Sequence, residues 1–238
     1  MSRLLASVRS EAEAMQVLRC GADIIDCKDP ADGALGALPA VVIRRIVARV
    51  AGRRPVSATA GNACNSMREL ANRVAQTGDC GVDYVKVGLF SPDNLGGQLR
   101  ALAPFATTHA LIAVCFAELD YPPDMLPRLA DCGIHGVMVD TAEKGSGSLT
   151  RRWSLGRISD FVQQSQELNL LSGVAGRVGL DDLPSLILCN ADYIGFRSAL
   201  CGGERSEAID ETAVLRIRRA MPAQHHSGPQ RQIGSAQP

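Results

Sequence analysis

Two kinds of hydrophobic pattern alternate along the chain. Short apolar, β-branched runs recur at Leu4 to Val8, Asp23 to Lys28, Pro55 to Ala60, Asp83 to Gly88, His109 to Phe116, His135 to Asp140, Asn169 to Ala175 and Asp192 to Arg197. Between them the apolar residues return every three or four positions, the spacing of one helix face. Ser10 with Glu13 forms a capping box ahead of Met15 and Leu18, and Gly21 stops that run. Pro39 opens a helix striped by Val42, Ile43, Ile46, Val47 and Val50, while Leu155, Ile158, Phe161 and Val162 mark the face of another. The last helical stretch runs roughly from Glu207 to Met221. The pattern predicts eight strands and eight helices in strict alternation, which favours a parallel sheet covered by helices. Eight such units in 238 residues favour closure into a single (β/α)8 TIM barrel over an open sheet. One barrel domain over 1–221 accounts for the pattern. The segment 222–238 is poor in apolar residues and rich in Gly, Pro and Gln, and is read as a disordered C-terminal tail. Its His225 and His226 have no rigid third ligand beside them and receive no function.

Composition narrows the function classes. With 46% apolar and 21% charged residues, the chain can bury one large core and still solvate a surface. Basic and acidic residues number 25 each, so no excess of positive charge argues for nucleic acid or an anionic membrane as a partner. No apolar run approaches the roughly 20 residues that span a bilayer. The start, MSRLLASVRS, lacks the continuous apolar segment of a secretory signal, so a soluble, cytoplasmic protein is expected. The cysteines at 20, 27, 64, 80, 115, 132, 189 and 201 include no CxxC pair and no histidines at ligand spacing. They read as buried thiols, and no metal is expected.

Basic-residue usage carries the chemistry. Only three of the 25 basic side chains are lysines, Lys28, Lys86 and Lys144; the rest are arginines. Arginine stays protonated, whereas an amine can lose its proton and form a Schiff base or shuttle protons. Lys28 ends the second strand, Lys86 lies in the fourth and Lys144 follows the sixth by four residues, which puts all three at the catalytic end of a barrel. If strand ends and loop starts make up about a fifth of such a chain, three random lysines would all land there about once in a hundred. Alternation turns Asp26 and Lys28, Tyr84 and Lys86, and Met138 and Asp140 toward the barrel axis, with Ile25, Cys27, Val137 and Val139 facing the helices. Two amines and two carboxylates then converge. Such charges must pair, neutralise or meet a ligand, and structural ion pairing is the plainer alternative to catalysis. Two close ammonium groups disfavour each other's charge, so one of Lys28 and Lys86 is expected to shed its proton and attack a carbonyl, the other carrying protons. Asp26 and Asp140 would hold the remaining ammonium groups or exchange protons with substrate hydroxyls.

Barrel enzymes often hold phosphate in the loops after strands seven and eight. Here those loops carry Gly176 and Arg177, then Arg197, Ser198, Gly202 and Gly203, in which glycines let backbone amides approach an anion and arginine adds charge. Taken with GADIIDCKDPADGALGALP at 21–39, RPVSATAG at 54–61, DYVKVGLF at 83–90, VDTAEKG at 139–145 and DYIGFRSALCGGER at 192–205, the chain resembles the (5-formylfuran-3-yl)methyl phosphate synthases, also called 4-(hydroxymethyl)-2-furancarboxaldehyde-phosphate synthases.

The resemblance implies a (β/α)8 lyase that condenses two molecules of glyceraldehyde 3-phosphate into a phosphorylated furan aldehyde, losing water and one phosphate, without a cofactor. The product would feed methanofuran-type one-carbon carriers. By position in the motifs, Lys28 is implied as the Schiff-base lysine and Lys86 as the proton acceptor, with Asp26, Asp140 and Lys144 assisting. Three departures bear on binding: Asn62 where the pattern has Asp, Gly145 to Ser148 in place of an Asp-Gly turn, and Arg177 where an AGS-like turn has Ser. Loop closure and phosphate grip are therefore expected to differ in detail. The competing readings are a class I aldolase of other specificity, which would cleave without forming a furan, and a sugar-phosphate-binding barrel without catalysis. A homo-oligomer is only a default expectation, since no coiled-coil heptads appear.

Overall fold

A computed structural model of the chain describes residues 1–142, 147–202 and 206–222. The eight apolar runs form β1 (Arg3–Val8), β2 (Ile24–Cys27), β3 (Val56–Thr59), β4 (Tyr84–Gly88), β5 (Leu111–Phe116), β6 (Gly136–Asp140), β7 (Leu171–Val174) and β8 (Tyr193–Phe196). Each pairs in parallel with its successor and β8 returns to β1, so the sheet closes and leaves no edge to cap. The (β/α)8 barrel expected from the alternation is the fold observed.

Nine α-helices lie among the described residues: α1 (Glu11–Arg19), α2 (Ala40–Val50), α3 (Met67–Gly78), α4 (Leu95–Ala106), α5 (Met125–Asp131), α6 (Leu149–Arg152), α7 (Leu155–Glu167), α8 (Leu183–Leu188) and α9 (Glu211–Ala220). The one beyond the predicted eight is α6, a single turn before α7. It forms because Leu149 is fully buried there and the Thr150 hydroxyl binds the Asp182 carboxylate. The last helix begins at Glu211 rather than near Glu207, because Ile209 bridges to Cys201 and Asp210 caps the first turn by accepting from the Thr212 N–H at 2.8 Å. Ser10 caps α1 as expected, accepting from Glu13 N at 3.2 Å, but the Glu13 carboxylate reaches past the box to the Arg9 N–H at 2.9 Å.

Side chains divide between two layers, as strand alternation requires. Ile25, Cys27, Val137 and Val139 pack outward against helix faces such as Ile43, Ile46 and Val50 of α2 and Ile158, Phe161 and Val162 of α7. Leu5, Ile24, Ile112, Met138 and Tyr193 fill the barrel interior, which is a packed floor and not a pore. Gly173 makes room for that floor, since a Cβ there would come within 2.3 Å of the Tyr193 ring. All eight cysteines are free thiols, six of them buried, and burial pushes Cys115 up to about 12. The tail read at 222–238 lies outside the described residues except for Pro222, whose carbonyl accepts from Arg218 at 2.9 Å. Arg218 also pairs with Asp23 at 2.7 Å and so ties α9 to the loop entering β2.

Candidate active site

The site is built from one strand outward. In β2, Ile25 and Cys27 are committed to the helix layer, which leaves Asp26 and the following Lys28 to face the axis. Asp26 is wholly inaccessible, and its two neighbours in register, Ser7 on β1 and Ser57 on β3, are also buried. The Ser57 hydroxyl donates to Asp26 Oδ1 at 2.7 Å; the Ser7 hydroxyl donates to Oδ2 at 2.8 Å, and Lys86 Nζ donates to the same oxygen at 3.0 Å. Burial alone would push the Asp26 carboxyl up, but the Lys86 ammonium, the Ser57 hydroxyl and the charge of Lys28 outweigh it and hold it below the ordinary carboxylate value. Three donors on one carboxylate satisfy the charge that burial would otherwise leave stranded.

Asp26 itself is not among the residues that line the cavity above it; it contacts Lys86, whose amine it fixes. Lys86 does line that cavity, beside Lys28 and Asp140. Lys28 Nζ stands 3.6 Å from Asp140 Oδ2 at the rim, and Asp140 Oδ1 accepts from the Thr141 N–H at 2.7 Å. The Lys28 side chain is 13% exposed against 3% for Lys86. The amine at the rim is therefore the more accessible to a ligand arriving from solvent, and the deeper one is the more rigidly held. The cavity has a volume of about 460 Å³. The four charged groups expected inside the barrel thus form two ion pairs, stacked one above the other at its C-terminal end.

The phosphate assignments divide. Gly176, Arg197 and Ser198 all line the cavity. Gly176 has φ +107° and packs so closely on Thr141 that a Cβ would meet its Cγ2 at 2.8 Å, so the backbone there suits only glycine. Gly202 does not line the cavity; it is exposed, and a Cβ on it would meet the Glu207 carboxylate at 2.9 Å. Lys144 and Gly203 lie outside the described residues.

Arg197 is mostly committed to protein acceptors. Its Nη1 binds Glu13 Oε2 at 2.6 Å and the Ser7 carbonyl at 3.1 Å, and its Nη2 binds Glu13 Oε1 at 3.3 Å and the Glu207 carbonyl at 2.8 Å. Four of its five N–H groups are accounted for in this way. The bidentate pair joins the end of β8 to α1 and holds the carbonyl of Ser7, the residue whose hydroxyl supports Asp26.

Sequence reasoning missed Ser7 and Ser57, and it read Glu13 only as a cap. The signal for the serines was present, since polar residues at inward positions of β1 and β3 call for an internal partner. Recognising that partner required the register, which sequence alone does not supply. The departure at Asn62 is explained by a clasp: its Oδ1 accepts from Leu35 N at 3.0 Å and its Nδ2 donates to the Asp32 carbonyl at 2.7 Å. An ionised aspartate there could only accept, whereas the amide both accepts and donates, and it pins the loop whose Pro30 and Ala31 line the cavity beside Lys28.

With this geometry in hand, similarity to known proteins is informative. A family profile described as 4-HFC-P synthase matches residues 4–218. A protein of Methylorubrum extorquens assigned to the same kind of synthase is 41% identical over 223 residues, covering 93% of this chain and 92% of that one. The (5-formylfuran-3-yl)methyl phosphate synthase of Archaeoglobus fulgidus is 34% identical, covering 92% of this chain and 99% of its own. The synthase of that name from Methanosarcina mazei is 31% identical, with 90% and 97% covered. Among solved structures, phosphoribosyl anthranilate isomerase from Thermus thermophilus superposes with a TM-score of 0.60 at 12% identity, covering 92% of this chain and 98% of that one. Thiamine phosphate pyrophosphorylase from Pyrococcus furiosus does so with a TM-score of 0.60 at 11% identity, covering 92% and 94%. At such identities the structural likeness speaks for the barrel alone.

Proposed function

The chain belongs to the 4-HFC-P synthase family, and from that premise we propose that it condenses two molecules of glyceraldehyde 3-phosphate into (5-formylfuran-3-yl)methyl phosphate by Schiff-base chemistry. One phosphate and, by atom balance, two waters leave. The observation that carries the reading is that two amines, Lys28 and Lys86, open onto one cavity, each beside its own carboxylate.

Lys28, at the rim, attacks the aldehyde carbonyl of the first substrate and forms an imine with loss of water. The imine acidifies the neighbouring carbon, and Lys86, after its ammonium has released a proton to solvent through the cavity it lines, takes the carbon's proton to leave an enamine, the carbon nucleophile for the second carbonyl. Asp140, in contact with Lys28, exchanges protons with the oxygen that departs as water. Asp26 touches no substrate; with Ser7 and Ser57 it positions Lys86. The phosphates are held at the end of the barrel formed by Gly176 and Ser198, where Arg197 fixes the surrounding backbone. Lys144, four residues past the end of β6 in sequence, assists by analogy with the family. No described helix is long and apolar enough to cross a membrane, and we place the reaction in the cytoplasm, feeding methanofuran-type carriers.

Incubation with glyceraldehyde 3-phosphate, followed by furan absorbance, phosphate release, borohydride reduction and peptide mass analysis, tests class and site in one sample. Furan together with an adduct on Lys28 is the expected result. An adduct without furan or phosphate would mark an aldolase of other specificity, and neither adduct nor turnover would mark a binding barrel. In Lys86→Arg the Lys28 adduct is expected to persist while furan formation fails, because imine formation calls on Lys28 and Asp140 and not on Lys86. Loss of trapping in that variant would exchange the two roles.

A further inference from the structure

We infer that Arg177 is the cation that anchors a substrate phosphate at the mouth of the catalytic cavity. The inference relies on the synthase reading only for the identity of the ligand as a triose phosphate.

Among the described residues, four cationic ones line the cavity: Lys28, Lys86, Arg177 and Arg197. Lys28 faces Asp140, Lys86 is bound to Asp26, and Arg197 is held by both oxygens of Glu13. Arg177 is the one of the four with no carboxylate within ion-pair distance among the described residues. Among the described residues, the positive charge left over at the mouth therefore sits on Arg177. A phosphate monoester, carrying close to two negative charges near neutral pH, is the substrate group that would neutralise it.

The backbone gives a second reason. Arg177 has φ +51°, in the left-handed region that residues other than Gly, Asn and Asp seldom adopt. Among the described residues, the other non-glycine ones in that region are Ala51, just past α2, and Asn169 and Asn190, of the type that tolerates it. Arg177 instead follows Gly176 directly at the rim, where the chain turns so that the arginine borders two cavities at once. One is the catalytic cavity. The other is an outer hollow of about 370 Å³ that also holds Arg151 and Ser148. Among the described residues, two carboxylates border the outer hollow, but Asp182 accepts from the Gly179 N–H and the Thr150 hydroxyl, and Asp181 is exposed to solvent. A phosphate entering through this side meets Arg177 before it reaches the lysines.

Calorimetric titration with inorganic phosphate, alongside steady-state kinetics with glyceraldehyde 3-phosphate, tests the assignment in the intact protein. Arg177→Gln keeps a polar side chain but removes the charge and the guanidinium fork from an exposed position, so folding is expected to be unchanged. Phosphate affinity is expected to fall about tenfold or more, and KM to rise by a similar factor with kcat within about threefold. Arg177→Lys is expected to recover part of the affinity, because it restores charge without the planar fork. Unchanged phosphate affinity in Arg177→Gln, or no phosphate binding to the native protein, would overturn the inference. Phosphate binding that depends on Arg177 in a protein that makes no furan would leave the inference standing and remove the synthase reading. Furan formation with an unaltered KM in Arg177→Gln would do the reverse.

Discussion

Lys28→Arg is expected to leave a folded protein whose furan-forming rate is lower by roughly three orders of magnitude or more, the scale on which loss of a covalent nucleophile is felt. Arginine keeps the positive charge beside Asp140, which stands 3.6 Å from Lys28 Nζ, and the cavity of about 460 Å³ has room for the larger head. Packing and ion pairing therefore change little. Covalent chemistry is lost, because a guanidinium does not give up its proton and forms no imine. The measurement pairs a urea melt with borohydride trapping: a melting midpoint close to the native value, no adduct at position 28 and no furan are expected. Turnover at the native rate would remove the imine mechanism, whereas collapse of the fold would show that the pair with Asp140 is structural first.

Asp26→Asn is expected to cost about 3–5 kcal/mol of stability, the penalty for removing one partner of a buried ion pair. The substitution keeps the shape and removes the charge facing Lys86 Nζ at 3.0 Å, where the lysine side chain is 3% exposed. Denaturant midpoints measure the loss. A cost under about 1 kcal/mol, as for a surface pair, would show that Asp26 is not the hub described. The pH dependence has a definite sign. The Asp26 carboxyl is held below its ordinary value in the folded chain, so its contribution is complete above about pH 3.9, where an unfolded aspartate is ionised. That contribution is lost as pH falls through the lower folded value. Native protein should lose stability more steeply on acidification over that interval than Asp26→Asn does, since the amide has no proton to take up.

Different parts of this protein were legible to different degrees. Strand positions were read to within a few residues, because β-branched runs flanked by turn residues mark strands locally, and a closed barrel is the fold that eight alternating units reach without an edge. Period-two alternation also placed Asp26, Lys86, Met138 and Asp140 inward, since side-chain direction along a strand depends on parity alone. Helix starts were less secure. At Glu207 the apolar spacing extended the last helix four residues too far, because the bridge from Cys201 to Ile209 is a contact that no local pattern announces.

The tertiary structure alone decided which charges answer one another. In sequence, Arg197 is an arginine in a glycine-bearing loop and fits an anion; in the barrel, closure of β8 onto β1 brings it to Glu13, 184 positions away, and a bidentate carboxylate claims it. The register of β2 between β1 and β3 sets Ser7 and Ser57 on either side of Asp26, which turns a costly buried carboxylate into a satisfied one that fixes Lys86. Composition and spacing determined the barrel, its inward residues and the set of amines available, because these depend on periodicity and residue type. The pairing of those amines, and the arginine left over at the mouth, depend on strand register and on distances between residues remote in sequence, and only the folded chain sets them.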